Sequence, residues 1–259
     1  MTGWWRRWRE SRTLRVRAIP DELWQLTLAR FPFLTWRDEE NVERLRELCT
    51  LFLAEKEFAG MQGMQVSDEM AVAIGSQACL PILHLGLDWY DGFRGIVLHP
   101  DAVRARREHM DESGVVHHYE EELAGEAMQG GPVMLSWHDV AEAGASAQWG
   151  YNVVIHEFAH VLDLRDGIAD GVPAFADRRT RDHWLKTLTA EYQGLCTDVE
   201  AGVDTLLDPY GAESIDEFFA VASEVFFVAP ADLRDEHPAL YELLRGFFRQ
   251  DPATHCTTK

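Results

Sequence analysis

No apolar run in the sequence approaches the ~20 residues that a membrane-spanning helix requires, which excludes a spanning protein. Cysteine is sparse. Cys49, Cys79, Cys196 and Cys256 lie far apart with no C-x-x-C pair, so they read as reduced thiols and not as a disulfide framework. Basic residues are outnumbered: 24 Lys and Arg against 44 Asp and Glu leave a formal charge of -20. That balance argues against direct nucleic-acid binding, since phosphate contacts need a basic surface. There is no internal repeat, low-complexity tract or long Pro/Ser linker. No 7–15-residue apolar segment follows the N-terminal arginines, so a secretory signal is not expected and the chain reads as cytoplasmic. What remains is a composition of 46% apolar and 26% charged residues, ordinary for a soluble globular protein.

The charge is unevenly placed. Residues 1–17 hold six arginines against Glu10 alone, a local +5 interleaved with Trp4, Trp5 and Trp8, which leaves -25 on the other 242 residues. We expect a basic arm over 1–17, a single domain over 18–252 and a polar tail over 253–259. The arm reads first as a solvated tail or a segment pairing with the acidic body, with a membrane-surface or partner-binding arm as the alternative. Helical patterning dominates from Pro20 to Leu53, with Val42, Leu45, Leu48, Cys49, Phe52 and Leu53 marking one buried face. Ser67 reads as the N-cap of a helix reaching about Leu80, with Asp68 and Glu69 in its first turn. Short apolar runs at Gly95–His99 and Pro132–Trp137, bounded by Gly and Pro, read as buried strands, and residues 115–127 as a further strand or hairpin arm. Helices are expected at about 147–164, 181–193, 214–228 and 237–249. Strands confined to the middle with helices on both sides imply an α+β domain.

The chemistry concentrates in Tyr151-Asn-Val-Val-Ile-His156-Glu157-Phe-Ala-His160-Val-Leu-Asp163. On a helix, His156 and His160 project from one face, about 5–6 Å apart at Cβ. Two imidazoles so placed can share one tetrahedral zinc, with Glu157 beside the metal-bound water as general base. Random placement yields H-E-x-x-H in about 4% of chains of this composition, so the pattern alone is not decisive. Its setting carries more weight: Val153, Val154, Phe158, Ala159, Val161 and Leu162 give the helix an apolar surround. A strand ending at Trp137 offers a sheet edge on which an extended peptide could pair.

A third ligand is required. A metzincin-like continuation would need Gly at 163 and His at 166, where this chain has Asp163 and Asp166. Asp166 remains open as a variant ligand. The alternative is a later helix, residues 213–224, which offers Glu213, Asp216, Glu217 and Glu224. Ser214-Ile-Asp-Glu217 also fits a capping box, so Glu217 reads equally as ligand or as cap. Asp216 and Glu213 read as helix-terminus charges. His117-His118 with Glu120–Glu122 lack paired ligand spacing and read as a solvated strand or loop, and His84, His99 and His138 as structural.

Several blocks in the same order resemble the Mlc titration factor A family of bacterial zinc peptidases. They are Phe52-Leu-Ala-Glu-Lys-Glu-Phe, Asp68-Glu-Met with Gln77-Ala-Cys-Leu-Pro81, and Gly131-Pro-Val-Met-Leu-Ser-Trp. The series continues through the His156–Asp163 block, Asp170-Gly-Val-Pro, Glu217-Phe-Phe-Ala and His237-Pro-Ala-Leu-Tyr-Glu-Leu-Leu. The resemblance covers about residues 18–252. It implies a zincin-like α+β fold, mostly helical with a small mixed sheet beside the HExxH helix, similar to the catalytic domain of anthrax lethal factor. By that resemblance one Zn2+ is held by His156, His160 and Glu217, with Glu157 as general base. Lethal factor has a tyrosine seven residues before its ligand Glu; Tyr210 stands there, and by resemblance would donate a hydrogen bond to the oxyanion. Lethal factor also has a Glu one turn beyond its ligand Glu, where this chain has Val221. The carboxylate orienting a zinc-bound histidine is therefore expected elsewhere, with Asp163 the first choice and Glu224 a second or a buried core acid. The family implies a peptide or protein substrate, aminopeptidase-type activity and a part in control of sugar uptake by the phosphotransferase system. The alternative it carries is a regulatory protein that binds an Mlc-type transcriptional repressor, with a structural or weakly active zinc site.

Overall fold

The computed structural model describes residues 2–101, 103–110, 116–123, 125–127, 130–147 and 150–256; for residues 2–6 and 103–127 it describes the backbone alone. The expected α+β architecture is present. Strands β1 (Glu57–Gly60), β2 (Gly95–His99) and β6 (Val133–Ser136) run parallel in the spatial order β1-β2-β6, and β5 (Gly125–Ala127) joins the far side of β6 antiparallel. This corrects one expectation: β6 is flanked on both sides, so the edge beside it belongs to β5. Strands β3 (Val103–Met110) and β4 (Val116–Leu123) form a separate antiparallel hairpin. Of the stretch 115–127, residues 116–123 belong to that hairpin and 125–127 to the sheet edge, while 115 and 124 lie outside the described residues. His117, His118 and Glu120–Glu122 pair through backbone there, and their side chains lie outside the described residues.

The helices form where caps and apolar stripes coincide. Asp38 caps α3 (Glu39–Glu55) and Ser67 caps α4 (Asp68–Cys79), each side chain accepting from the backbone N–H three residues on. Ser136 both ends β6 and caps α5 (Trp137–Ser146), a helix the expected boundaries missed. Asn152 caps α6 (Val153–Asp163), Asp177 caps α7 (Arg178–Glu200) and Ser214 caps α8 (Ile215–Val228). Further helices are α1 (Thr2–Val16), α2 (Asp21–Arg30), α9 (Pro230–Glu236) and α10 (Pro238–Phe248). The basic segment is therefore a helix, packed on α3, with Trp8 half exposed; Trp4 and Trp5 have no described side chains. At the other end Pro252 and Ala253 are buried.

Two aromatic clusters hold the core. Phe52, Tyr90, Phe93 and Phe158 meet edge to face with centroids 5.0–6.2 Å apart, joining α3, β2's approach and α6. Trp184, Phe219 and Phe247 tie α7, α8 and α10 together. Each fully buried ring contributes about 1.5–3 kcal/mol, so the first cluster anchors α6 and the second anchors α8. Both are apolar along their shared face, and α6 also rests on β5 and β6. The sequence motif and the later acidic helix meet at that crossing.

Candidate metal centre

Asn152 sets the start of α6 by three bonds. Its Oδ1 accepts from Ile155 N at 2.9 Å, its Nδ2 donates to Gln77 Oε1 at 2.7 Å, and its backbone N–H donates to Glu224 Oε2. The helix buries Val153, Val154, Ile155, Phe158, Ala159 and Leu162, so the face carrying His156 and His160 is forced toward the N-terminal turn of α8. There Glu217 Oε2 lies 3.0 Å from His156 Nε2 and 3.3 Å from His160 Nε2, while the two Nε2 atoms are 3.2 Å apart. Among the described residues, His156, His160 and Glu217 are the group of three whose ligand atoms converge closely enough to hold one metal ion.

The donor set fits a cation. His156 Nδ1 lies 2.7 Å from Glu224 Oε1, which holds a proton on Nδ1 and aims Nε2 at the group. Bonds of about 2 Å at tetrahedral angles put ligand atoms about 3.3 Å apart, close to the spacing seen. Glu157 Oε2 is buried and has no hydrogen-bond partner among the described residues, although it sits beside these ligands in sequence and space. An unpartnered carboxylate oxygen there is costly unless a ligand or reacting water uses it.

The electrostatics follow from burial and three neighbouring acids, Glu157, Glu217 and Glu224. Burial pushes the Glu157 carboxyl up to about 7, against the pull of His156 and His160. Burial acts to lower His156, but Glu224, Glu217 and Glu157 outweigh it and hold the imidazole well above its ordinary value. Glu217 shows the reverse: burial raises it, and hydrogen bonds from the two histidines bring it far below the usual carboxylate range. Glu224 is raised by burial, partly offset by His156.

The sequence expectations separate cleanly here. Ser214 Oγ accepts from Glu217 N at 3.4 Å, so the helix is capped at that point, while the Glu217 carboxylate turns to the histidines. Backbone capping and ligand geometry coexist because they use different atoms of Glu217. Asp166 accepts from Ile168 N in an exposed turn and is not part of the group. Asp163 does not take the expected orienting role: its Oδ2 accepts from Gly171 N at 2.9 Å. Glu224 orients His156 in its place. Its position is seven residues beyond Glu217, two turns along α8, in the otherwise apolar stretch Phe218–Val228. An acid in such a stretch is the signal that it has a buried partner. Tyr210 stands just before α8, its ring centroid 6.1 Å from that of His156. Asp216 lies in the first turn of α8, as expected of a helix-terminus charge. No helix among the described residues is long and apolar enough to cross a membrane.

Comparisons with known proteins agree with this geometry. Residues 5–249 match the family model of the glucose-regulated metallo-peptidase M90, a span that takes in most of α1. Mlc titration factor A of Escherichia coli is 34% identical over 248 residues, covering 95% of this chain and 91% of that protein. The Cronobacter sakazakii protein of the same name is 32% identical over equal coverage. An uncharacterised protein of Synechocystis is 35% identical over 254 residues, 97% of this chain and 92% of its own length. The chain belongs to the M90 family of glucose-regulated metallo-peptidases.

Proposed function

We propose that the protein is a zinc-dependent peptidase of the cytoplasm that hydrolyses peptide bonds with Glu157 as general base. The observation that carries this reading is the convergence of His156, His160 and Glu217 on one point beside the unpartnered Glu157 carboxylate. Two imidazoles and one carboxylate are a donor set suited to zinc with one position left open for water. Zinc held there supplies Lewis acidity and a water whose pKa falls to about 7. Glu157 accepts the proton of the attacking water and delivers it to the leaving amine; a carboxyl raised toward neutrality suits both transfers. Glu224 keeps His156 in one tautomer, so its Nε2 stays available as a ligand. Tyr210, beside His156, donates to the oxyanion as it develops. The β5 edge next to α6 offers backbone groups to an extended peptide substrate; trimming of short peptides from their ends follows from the family resemblance alone.

A regulatory role in sugar phosphotransferase control accompanies this reading. The name Mlc titration factor A, carried by two of the relatives, favours binding of an Mlc-type repressor as the alternative, with the metal structural or weakly active. Metal analysis combined with hydrolysis of short peptides distinguishes the two. Glu157→Gln is expected to retain one zinc per chain and lose at least about 10²-fold in kcat. Equal turnover by the zinc-loaded variant would overturn the mechanism. Zinc without any turnover in the wild-type chain would favour the repressor-binding alternative.

A further inference from the structure

Sharing no residue with the metal centre, a cavity of about 140 Å³ opens between the start of α3, the segment after α4 and the end of α10. Arg37, His84, Arg249, Gln250, Asp251 and His255 are among the residues that line it. In a chain of net charge -20, two guanidinium groups against one lining carboxylate, Asp251, reverse the sign locally. The acids nearby are already engaged. Asp38 accepts from both the backbone and the side-chain amide of Asn41, and Asp251 accepts from the Tyr241 hydroxyl at 2.6 Å with Arg245 at 3.6 Å.

Arg37 Nη1 donates to the Phe33 and Leu34 carbonyls, yet its Nη2 is buried with no partner among the described residues. A buried guanidinium N–H without an acceptor is costly. Burial pulls Arg37 down to about 10, so it stays charged at neutral pH. At the rim, Arg249 follows α10 with φ 54° and ψ 39°, the left-handed position that glycine ordinarily fills after a helix. A strained arginine there spends backbone stability to bring a guanidinium to the cavity mouth.

We infer that this cavity binds a phosphate-sized oxyanion, either inorganic phosphate or the phosphoryl group of a small monoester. The volume is about ten times the minimum for one water, room for such a group and part of its hydration. The buried, unpartnered Nη2 of Arg37 supplies a donor, and Arg249, which also lines the cavity, supplies the second guanidinium charge. His84 also lines it, its imidazole lowered by burial and by the Arg44, Arg37 and Arg249 guanidinium groups against the opposing pull of Asp38; a bound anion relieves that crowding.

The test is isothermal titration of the full chain with inorganic phosphate and, separately, glycerol phosphate, against acetate at matched ionic strength. Saturable binding of one phosphate or phosphate ester per chain, with no acetate binding, is expected. Tighter binding of the ester assigns the site to a monoester, and tighter binding of inorganic phosphate to the free ion. Arg249→Gly and Arg37→Gln are each expected to weaken binding at least about tenfold. Without phosphate, Arg249→Gly should melt above wild type, since glycine takes φ 54° unstrained. Should Arg37→Gln fail to fold, through loss of its Phe33 and Leu34 bonds, Arg249→Gly and His84→Gln carry the same test. Binding undiminished in Arg249→Gly and His84→Gln, or no saturation at millimolar phosphate, overturns the assignment.

Discussion

Glu224 Oε1 lies 2.7 Å from His156 Nδ1, and the other oxygen of the same carboxylate accepts the backbone N–H of Asn152. One buried acid on α8 thus fixes both the tautomer of a ligand histidine and the first turn of the helix that carries it. Glu224→Gln retains the shape but exchanges a charged acceptor for an amide, so His156 loses its preferred tautomer. Metal affinity is expected to fall by about 10–100-fold, measured by competition with a chromophoric chelator. An affinity within twofold of wild type would reduce Glu224 to a space-filling role.

The two roles of Glu217 can be separated by two substitutions on one turn. Ser214→Ala removes the acceptor for Glu217 N and should cost about 1 kcal/mol of stability by chemical denaturation, with the metal retained. Glu217→Ala leaves the cap in place and removes the carboxylate shared by His156 and His160. It should release the metal while the backbone stays folded. Full metal occupancy in Glu217→Ala would mean that the group of three is not the binding site.

These two substitutions also mark how far the sequence could be read. The HExxH helix was legible because its spacing, its apolar surround and its ligands are all local. Ser67 and its helix were legible for the same reason. Glu217 was ambiguous because the S-x-x-E pattern describes the backbone at 214–217 and says nothing of where the carboxylate points. Glu224 was harder: its partner lies 68 residues away, and only the crossing of α6 with α8 brings them together. The parallel pairing of β1 with β2, and the addition of β5 to the edge, likewise depend on contacts between distant segments. Asp163 has a place on the helix face that suits a ligand partner, but the chain folds back and offers it the Gly171 N–H, a contact the local sequence does not reveal.

Asp163 makes stability depend on pH. Burial, aided by nearby Asp170, pushes its carboxyl up to about 7 from 3.8, despite the bond from Gly171 N. Between those values the folded chain binds more protons at this site than the unfolded one. Its contribution is therefore most favourable at acid pH and is lost as pH rises toward 7, at up to about 1.4 kcal/mol per pH unit. Asp163→Asn keeps an acceptor for Gly171 N and carries no charge, so this component of the slope should disappear in denaturation curves taken from pH 4 to 8. An unchanged slope would mean that Asp163 is ionised throughout.

Gly171 connects that acid to the metal centre from the other side. Its N–H is held by Asp163, its carbonyl accepts from Trp184 Nε1 at 2.8 Å, and its φ is +69°. A Cβ built there would lie 2.6 Å from the carbonyl oxygen of Ile215, two residues before Glu217. Gly171→Ala therefore combines an unfavourable φ with a backbone clash, neither of which a side-chain rotation can relieve. A loss of about 2–4 kcal/mol is expected in chemical denaturation. Because the clash falls on the first turn of α8, the loop can relax only by moving away from Glu217 or by pushing that turn. The second route displaces a ligand, and metal affinity then falls together with stability; the first leaves it intact. Measuring both in one variant shows whether the Asp163–Gly171–Trp184 chain holds Glu217 in place or only closes the loop over α6.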